Sequence, residues 1–321
     1  MLIPVLLFIV GLVLLIKGGG WFVDGATDIA HRFRIPEIIV GATVVSIGTT
    51  LPEVMVSATG ALHGQGAMAY GNAIGSIICN TALIAAITIT VKPGPVNVKA
   101  LKMPVIFFFL SAILYAAVAY TTGEFTRGLG FVLLGIFLIY MLLTVRSGLK
   151  SPHPEGNEET TKEENPLWKS MLLLIGGAAV IAVGANLLVD NGTLIAQALG
   201  VPESVIALTF VALGTSLPEL VTAITSLMKG HSSLSLGNII GANIFNLVLV
   251  SGVSVTLAPF HIPEAARLFG HNASLVLDVP VMMAVMAIMT LPALARKKLS
   301  RAQGILLLTI YAAFCVIQFT M

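Results

Sequence analysis

The sequence predicts an all-α integral membrane protein: ten transmembrane helices arranged as two inverted five-helix repeats, with discontinuous second and seventh helices at the core. Three observations lead there. The first is composition: 57% of the 321 residues are hydrophobic, 10% are charged, and mean hydropathy is +0.98, whereas a soluble domain has about a quarter of its residues charged. The second is run length. Apolar stretches of roughly 17 to 25 residues suit helices crossing a hydrocarbon core of about 30 Å, and lack the alternation of outer-membrane barrel strands. The third is repetition: VSIGTTLPEVMVS around Glu53 returns as VALGTSLPELVTA around Glu219, and GNAIGSIICN from Gly71 returns as GNIIGANIFN from Gly237.

Both motifs recur at an offset of 166 residues. Segments 18–83 and 184–249 share 24 identities in 66 positions, including Asp24 with Asp190 and Pro36-Glu37 with Pro202-Glu203. Five spans, an odd number, separate the copies, so the second enters the membrane upside down. Secondary transporters use this plan, with substrate sites near the midplane where the repeats meet.

In chain order, spans are expected at about 2–24, 36–60, 67–90, 102–120 and 126–146, then 167–190, 202–228, 234–257, 273–293 and 302–320. The first has no basic residue before its apolar run and no small-residue cleavage site, so it reads as a retained span. Pro and Glu dominate the stretch between spans five and six. The domains are therefore 1–146, a first five-span repeat; 147–169, an acidic linker; and 170–321, a second five-span repeat. Cys79 and Cys315 lie in apolar runs and imply no disulfide framework.

Basic residues set the expected orientation, because cytoplasmic loops carry the Lys/Arg excess. With the N-terminus outside, fourteen of the seventeen basic residues fall in inner loops; Arg127 and Arg267 fall outside, and Lys17 lies within the first span. Both termini are thus expected outside, with the linker cytoplasmic and the chain in the plasma (inner) membrane. The net charge of +2 gives no reason to expect nucleic acid, and no protein partner is implied. The lipid bilayer is the expected surrounding.

Glu53 and Glu219 sit mid-span with no basic residue nearby in sequence, and a charge there costs about 2.5–3.5 kcal/mol on insertion scales. A protonated glutamate bonded to a neighbouring helix is the plainer alternative, but the local frame repeats as well. Pro52 and Pro218 precede the glutamates, and Gly48 and Gly214 lie five residues before them. Proline removes a donor and clashes one turn back, so the ladder should open around Gly48–Thr49 and Gly214–Thr215, freeing carbonyls that a cation can satisfy. Thr49 and Thr50 stand four and three residues before Glu53, as Thr215 and Ser216 do before Glu219, so these oxygens face one way. Asn72, Ser76 and Asn80 form a helical stripe in the third span; Asn238 and Asn246 repeat it with Ala242 between them. Such a stripe serves either as helix glue or as a ligand set, with Gly71, Gly75, Gly237 and Gly241 allowing close packing. Carboxylate, amide, hydroxyl and carbonyl oxygens, without a His or Cys set at ligand spacing, make a hard-cation site for calcium or sodium.

GTTLPE, GNAIGSIICN, GTSLPE and GNIIGANIFN resemble the two signature repeats of the sodium/calcium exchanger family, in the calcium/cation antiporter superfamily, over essentially the whole chain. The resemblance implies alternating-access exchange of several sodium ions for one calcium ion, with the first and sixth spans moving against a fixed core. It implies calcium ligands at Glu53, Glu219 and the carbonyls of Thr49 and Thr215. Sodium shells would add Thr50, Ser76, Asn80, Ser216 and the carbonyls of Ser46 and Ala212, with Asn246 at the remaining position of the set. Two positions depart from the pattern: Asn246 stands where an acid often occurs, and Ala242 where a serine often occurs. Proton-coupled members of the superfamily tend to carry a glutamate in the third-span motif; its absence here favours sodium. Calcium and sodium are cargo, and no cofactor is implied.

The alternatives are calcium/proton or other cation/proton antiport, with the two glutamates carrying protons, and an intramembrane hydrolase using them as an acid pair. No zinc-binding His-Glu-x-x-His, nucleophile elbow or further intramembrane acid is expected to accompany them, so no enzyme is expected. Asp24 and Asp190 read as solvated interfacial acids. Glu37 and Glu203, next to Pro36 and Pro202, read as helix-start residues. The six histidines read as loop residues, and Met282, Met283, Met286 and Met289 as packing.

Overall fold

The computed structural model describes residues 2–150, 165–199, 214–264 and 267–320. Among the described residues it contains ten long or medium helices: α1 Leu2–Arg32, α2 Glu37–Leu62, α3 Gly66–Val91, α4 Val98–Thr121, α5 Arg127–Lys150, α6 Leu167–Ala198, α7 Leu217–Met228, α8 Ser232–Leu257, α9 Ser274–Arg296 and α10 Arg301–Thr320. Nine are long and apolar enough to cross a membrane; α7 is shorter. The expected first half of the seventh span, with Pro202, Glu203 and Ala212, lies outside the described residues.

Two elements differ from expectation. Helices α1 and α6 run for 31 and 32 residues, about 47 Å at 1.5 Å per residue, and so outrun the hydrocarbon core. The expected opening of α2 at Gly48–Thr49 takes another form. Residues Gly41–Val45 are π-helical, and α-helix then continues from Ser46 through Pro52 to Leu62. Pro52 removes the N–H that would bond the Gly48 carbonyl, and the helix nevertheless continues through it. In the second repeat α7 starts afresh at Leu217, with Pro218 in its first turn, where the missing N–H costs nothing.

The chain forms two compact units: Met1–Thr49 with Thr144–Asn238, and Thr50–Leu143 with Ile239–Met321. Each draws on both sequence repeats, and the boundaries fall inside α2, α5 and α8.

In the first unit α1 and α6 pack along their length. A Cβ on Gly11 would lie 2.9 Å from the Gly184 carbonyl oxygen, and one on Gly184 would lie 2.9 Å from that of Gly11; Gly18 and Gly177 oppose each other in the same way. By the 166-residue offset Gly177 is the counterpart of Gly11, and Gly184 of Gly18. Equivalent residues therefore meet reciprocally on antiparallel helices, which is the inverted repeat expressed as packing. Glycine is needed because only bare backbones approach this closely. Around this seam Leu15, Phe22, Val23, Ala26, Val40, Val45, Leu174, Ile181 and Leu234 form the core.

In the second unit, Tyr70, Tyr115, Phe125 and Phe260 stack at one end of the helices. Short β-bridges tie turns at both ends of this unit. Gly94–Pro95 pairs with Lys298–Leu299, and Glu124–Phe125 with Phe260–His261. The first bridge joins two turns expected inside, the second two turns expected outside.

Candidate functional site

In the first unit, the second repeat motif meets the start of α2. A Cβ on Gly41 would lie 2.4 Å from the Leu234 carbonyl oxygen, and one on Gly237 would lie 2.1 Å from that of Ile38. This close approach brings the buried Asn238 against α2. Ser46 Oγ donates to the carbonyl oxygens of Gly41 (2.7 Å) and Asn238 (2.9 Å), and Thr49 Oγ1 donates to Asn238 Oδ1 (3.2 Å). The hydroxyls of Ser46 and Thr49 are thus engaged within the protein. Thr215 and Ser216 form the turn ahead of α7, and the buried Ser216 Oγ has no hydrogen-bond partner. Glu219 sits fully buried in the first turn of α7, where the positive end of the helix favours a carboxylate. Thr222 and Ser226 continue its face as buried hydroxyls.

In the second unit, Thr50, Glu53 and Ser57 lie fully buried on α2. Asn72 donates to Ser57 Oγ at 2.8 Å and to the Glu53 carbonyl at 3.3 Å, so this member of the polar stripe joins α3 to α2. Ser76 is buried one turn on. Asn80 and Asn246 are fully buried, and neither amide oxygen nor amide nitrogen of either has a hydrogen-bond partner. Leaving a buried amide without partners costs about 1–3 kcal/mol. Each opens a π-helical segment, Asn80–Ala85 in α3 and Asn246–Val250 in α8. The irregularity thus recurs at the same offset as the sequence, and π-turns free backbone groups at functional sites. Ala242 fills its buried position with an apolar methyl.

Some expectations are corrected here. Gly71 and Gly75 do not mediate close packing: a Cβ on either would meet nothing within 4 Å, because the space beside them is open. Met286 does more than pack, since its sulfur accepts from Thr81 (3.3 Å) and Asn243 (3.2 Å) while Asn243 also donates to Thr81 Oγ1 (2.7 Å).

The family model described as sodium/calcium exchanger protein matches residues 3–146 and 169–320. The chain belongs to the sodium/calcium exchanger family. Among its relatives in this family, sodium/calcium exchanger MaX1 of Methanosarcina acetivorans is 29% identical over 98% of each chain. Inner membrane protein YrbG of Escherichia coli is 34% identical over 89% of each. A solved structure of the sodium-calcium exchanger NCX_Mj, soaked with sodium and strontium, superposes with a TM-score of 0.83 at 34% identity and covers 98% of each chain.

Other acids of this exchanger-family chain behave differently from the sequence reading. Asp24 is not simply solvated: Lys229 Nζ reaches its Oδ1 at 2.6 Å and the Gly20 carbonyl at 2.9 Å. Glu37, besides opening α2, pairs with His231 Nδ1 at 2.7 Å. Both bonds tie the α7–α8 turn to α1 and α2. Asp190 is exposed as expected. Asp278 is a further acid within a membrane helix, one turn into α9, where Gln318 donates to its Oδ1 at 2.7 Å. Its place near a helix end hid it from a search for mid-span charges.

Proposed function

We propose that this cation/calcium antiporter exchanges sodium for calcium by alternating access. Its calcium ligands would be Glu53, Glu219 and the main-chain carbonyls of Thr49 and Thr215. The sodium shells would use Thr50, Ser76, Asn80, Ser216, Asn246 and the carbonyls of Ser46 and Ala212. The observation that carries this reading is the pair of fully buried glutamates in equivalent frames of the two repeats. Two formal charges balance one divalent ion, or monovalent ions whose shells neutral oxygens complete. The buried amides of Asn80 and Asn246 supply such oxygens. Competition for the same carboxylates couples the two ions, and the reciprocal glycine seam supports α1 and α6 moving as one body.

The Lys/Arg bias of the loops supports the proposed topology, with both termini outside and the 147–169 linker cytoplasmic. Calcium flux into proteoliposomes under imposed sodium or proton gradients tests the coupling ion. Uptake should follow the sodium gradient; uptake that follows protons and ignores sodium would replace this reading with calcium/proton exchange.

A further inference from the structure

At the end of the second unit where α4 finishes and α9 begins, Arg267–Leu268 pairs with His271–Asn272 in a small hairpin. Its two-residue turn is Phe269–Gly270, with φ of 51° and 82°. Two consecutive positive φ values are the type I′ pattern, for which Asn-Gly or Asp-Gly is the usual choice because a Cβ otherwise crowds the next carbonyl. Phenylalanine is a poor occupant on steric grounds, and this one is also 92% exposed. Strain and an unburied ring are separate costs that no contact among the described residues offsets. Both point to a contact outside the chain.

The surroundings say which. Asn272 stands two residues before Ser274, where the membrane helix α9 begins. Phe269 is five residues before Ser274, so at about 3.3 Å per residue the hairpin tip lies within roughly 17 Å of the start of that helix, within reach of the headgroup region. Tyr120 at the end of α4 and Val276 on α9 present exposed apolar surface next to it. Behind the hairpin lies a cavity of about 400 Å³ lined by Thr121, Thr122, Glu264, Arg267, His271 and Asn272. Arg267 and His271 suit a phosphodiester, while the Thr121 and Thr122 hydroxyls donate to the Ala117 and Val118 carbonyls of α4. Glu264 on the same rim opposes an anion but suits an ammonium. A ligand carrying both charges, at this depth, is a zwitterionic headgroup.

We propose that the hairpin and cavity bind a phospholipid of the phosphatidylethanolamine type. The phosphodiester lies against Arg267 and His271, the ammonium against Glu264, and Phe269 enters the top of the acyl region. This site stands apart from the ion ligands and does not rest on the coupling ion.

Native mass spectrometry of the full chain, titrated with phosphatidylethanolamine, phosphatidylglycerol or inorganic phosphate, tests it. Phosphatidylethanolamine should be retained about tenfold better than phosphatidylglycerol. Arg267→Ala with His271→Ala should remove retention, and Glu264→Gln should remove only the preference. Equal retention by all forms, or a phosphate complex with no lipid complex, overturns the proposal. For the ring, Phe269→Trp in a Trp21→Phe, Trp168→Phe background should be quenched by lipids brominated in the upper acyl chain and not by iodide; the reverse pattern overturns it.

Discussion

Two residues, Glu53 and Glu219, were conspicuous in the sequence because a carboxylate in an apolar run has no cheap explanation. Removing one partner of a buried charge pair costs about 3–5 kcal/mol. Calcium exchange by Glu53→Gln or Glu219→Gln should therefore fall by at least about 100-fold, and wild-type flux in either variant would remove the ligand assignment. The neutral ligands were only half legible. A stripe of asparagines shows its face but not its bonds: Asn72 holds helices together, Asn238 gathers Ser46 and Thr49, and only Asn80 and Asn246 keep whole amides unengaged. Asn238→Leu should cost about 1–3 kcal/mol of stability by removing the Oδ1 that accepts from the buried Thr49 hydroxyl, read as a lowered thermal midpoint. Asn246→Asp should instead shift the apparent sodium or calcium affinity, since it adds charge at an unpartnered amide; an unchanged ion dependence would place residue 246 outside the shells.

Helices and their boundaries followed from hydropathy, while their irregularities did not. A π-turn at Gly41–Val45 or Asn80–Ala85 has no composition of its own by which a sequence could show it. The seam between α1 and α6 was visible only in hindsight, as glycines seven apart at Gly11, Gly18 and Gly25. A Cβ on Gly25 would come within 2.5 Å of the Leu174 backbone nitrogen, and one on Gly177 within 2.5 Å of that of Phe22. Gly25→Val and Gly177→Val should each destabilise by about 1–3 kcal/mol through overpacking. A control at Gly135, where a Cβ would meet nothing within 4 Å, should be neutral in the same thermal assay.

At the scale of the molecule, the repeat told how the helices are related but not how they group. Sequence halves suggest two modules; the compact units instead each combine pieces of both halves. Charge bias gives an expected orientation, and the bridged turns, which pair helix ends on one side, are the same for either orientation. Single cysteines at Thr122 and Lys297, in a background with Cys79 and Cys315 replaced, should label with an impermeant maleimide from outside and inside respectively; labelling of both from one side would refute the topology.

The same interleaving sets a timetable for biogenesis. The glycine face of α1 leaves the ribosome well before its partner α6 is complete at Ala198, a gap of roughly 8–30 s at ordinary synthesis rates. Throughout that interval the bare backbone of α1 has only lipid or the insertion machinery to cover it. Translation speed across the second half, and whatever shelters α1 meanwhile, therefore decide how much of the newly made chain reaches the bilayer correctly assembled.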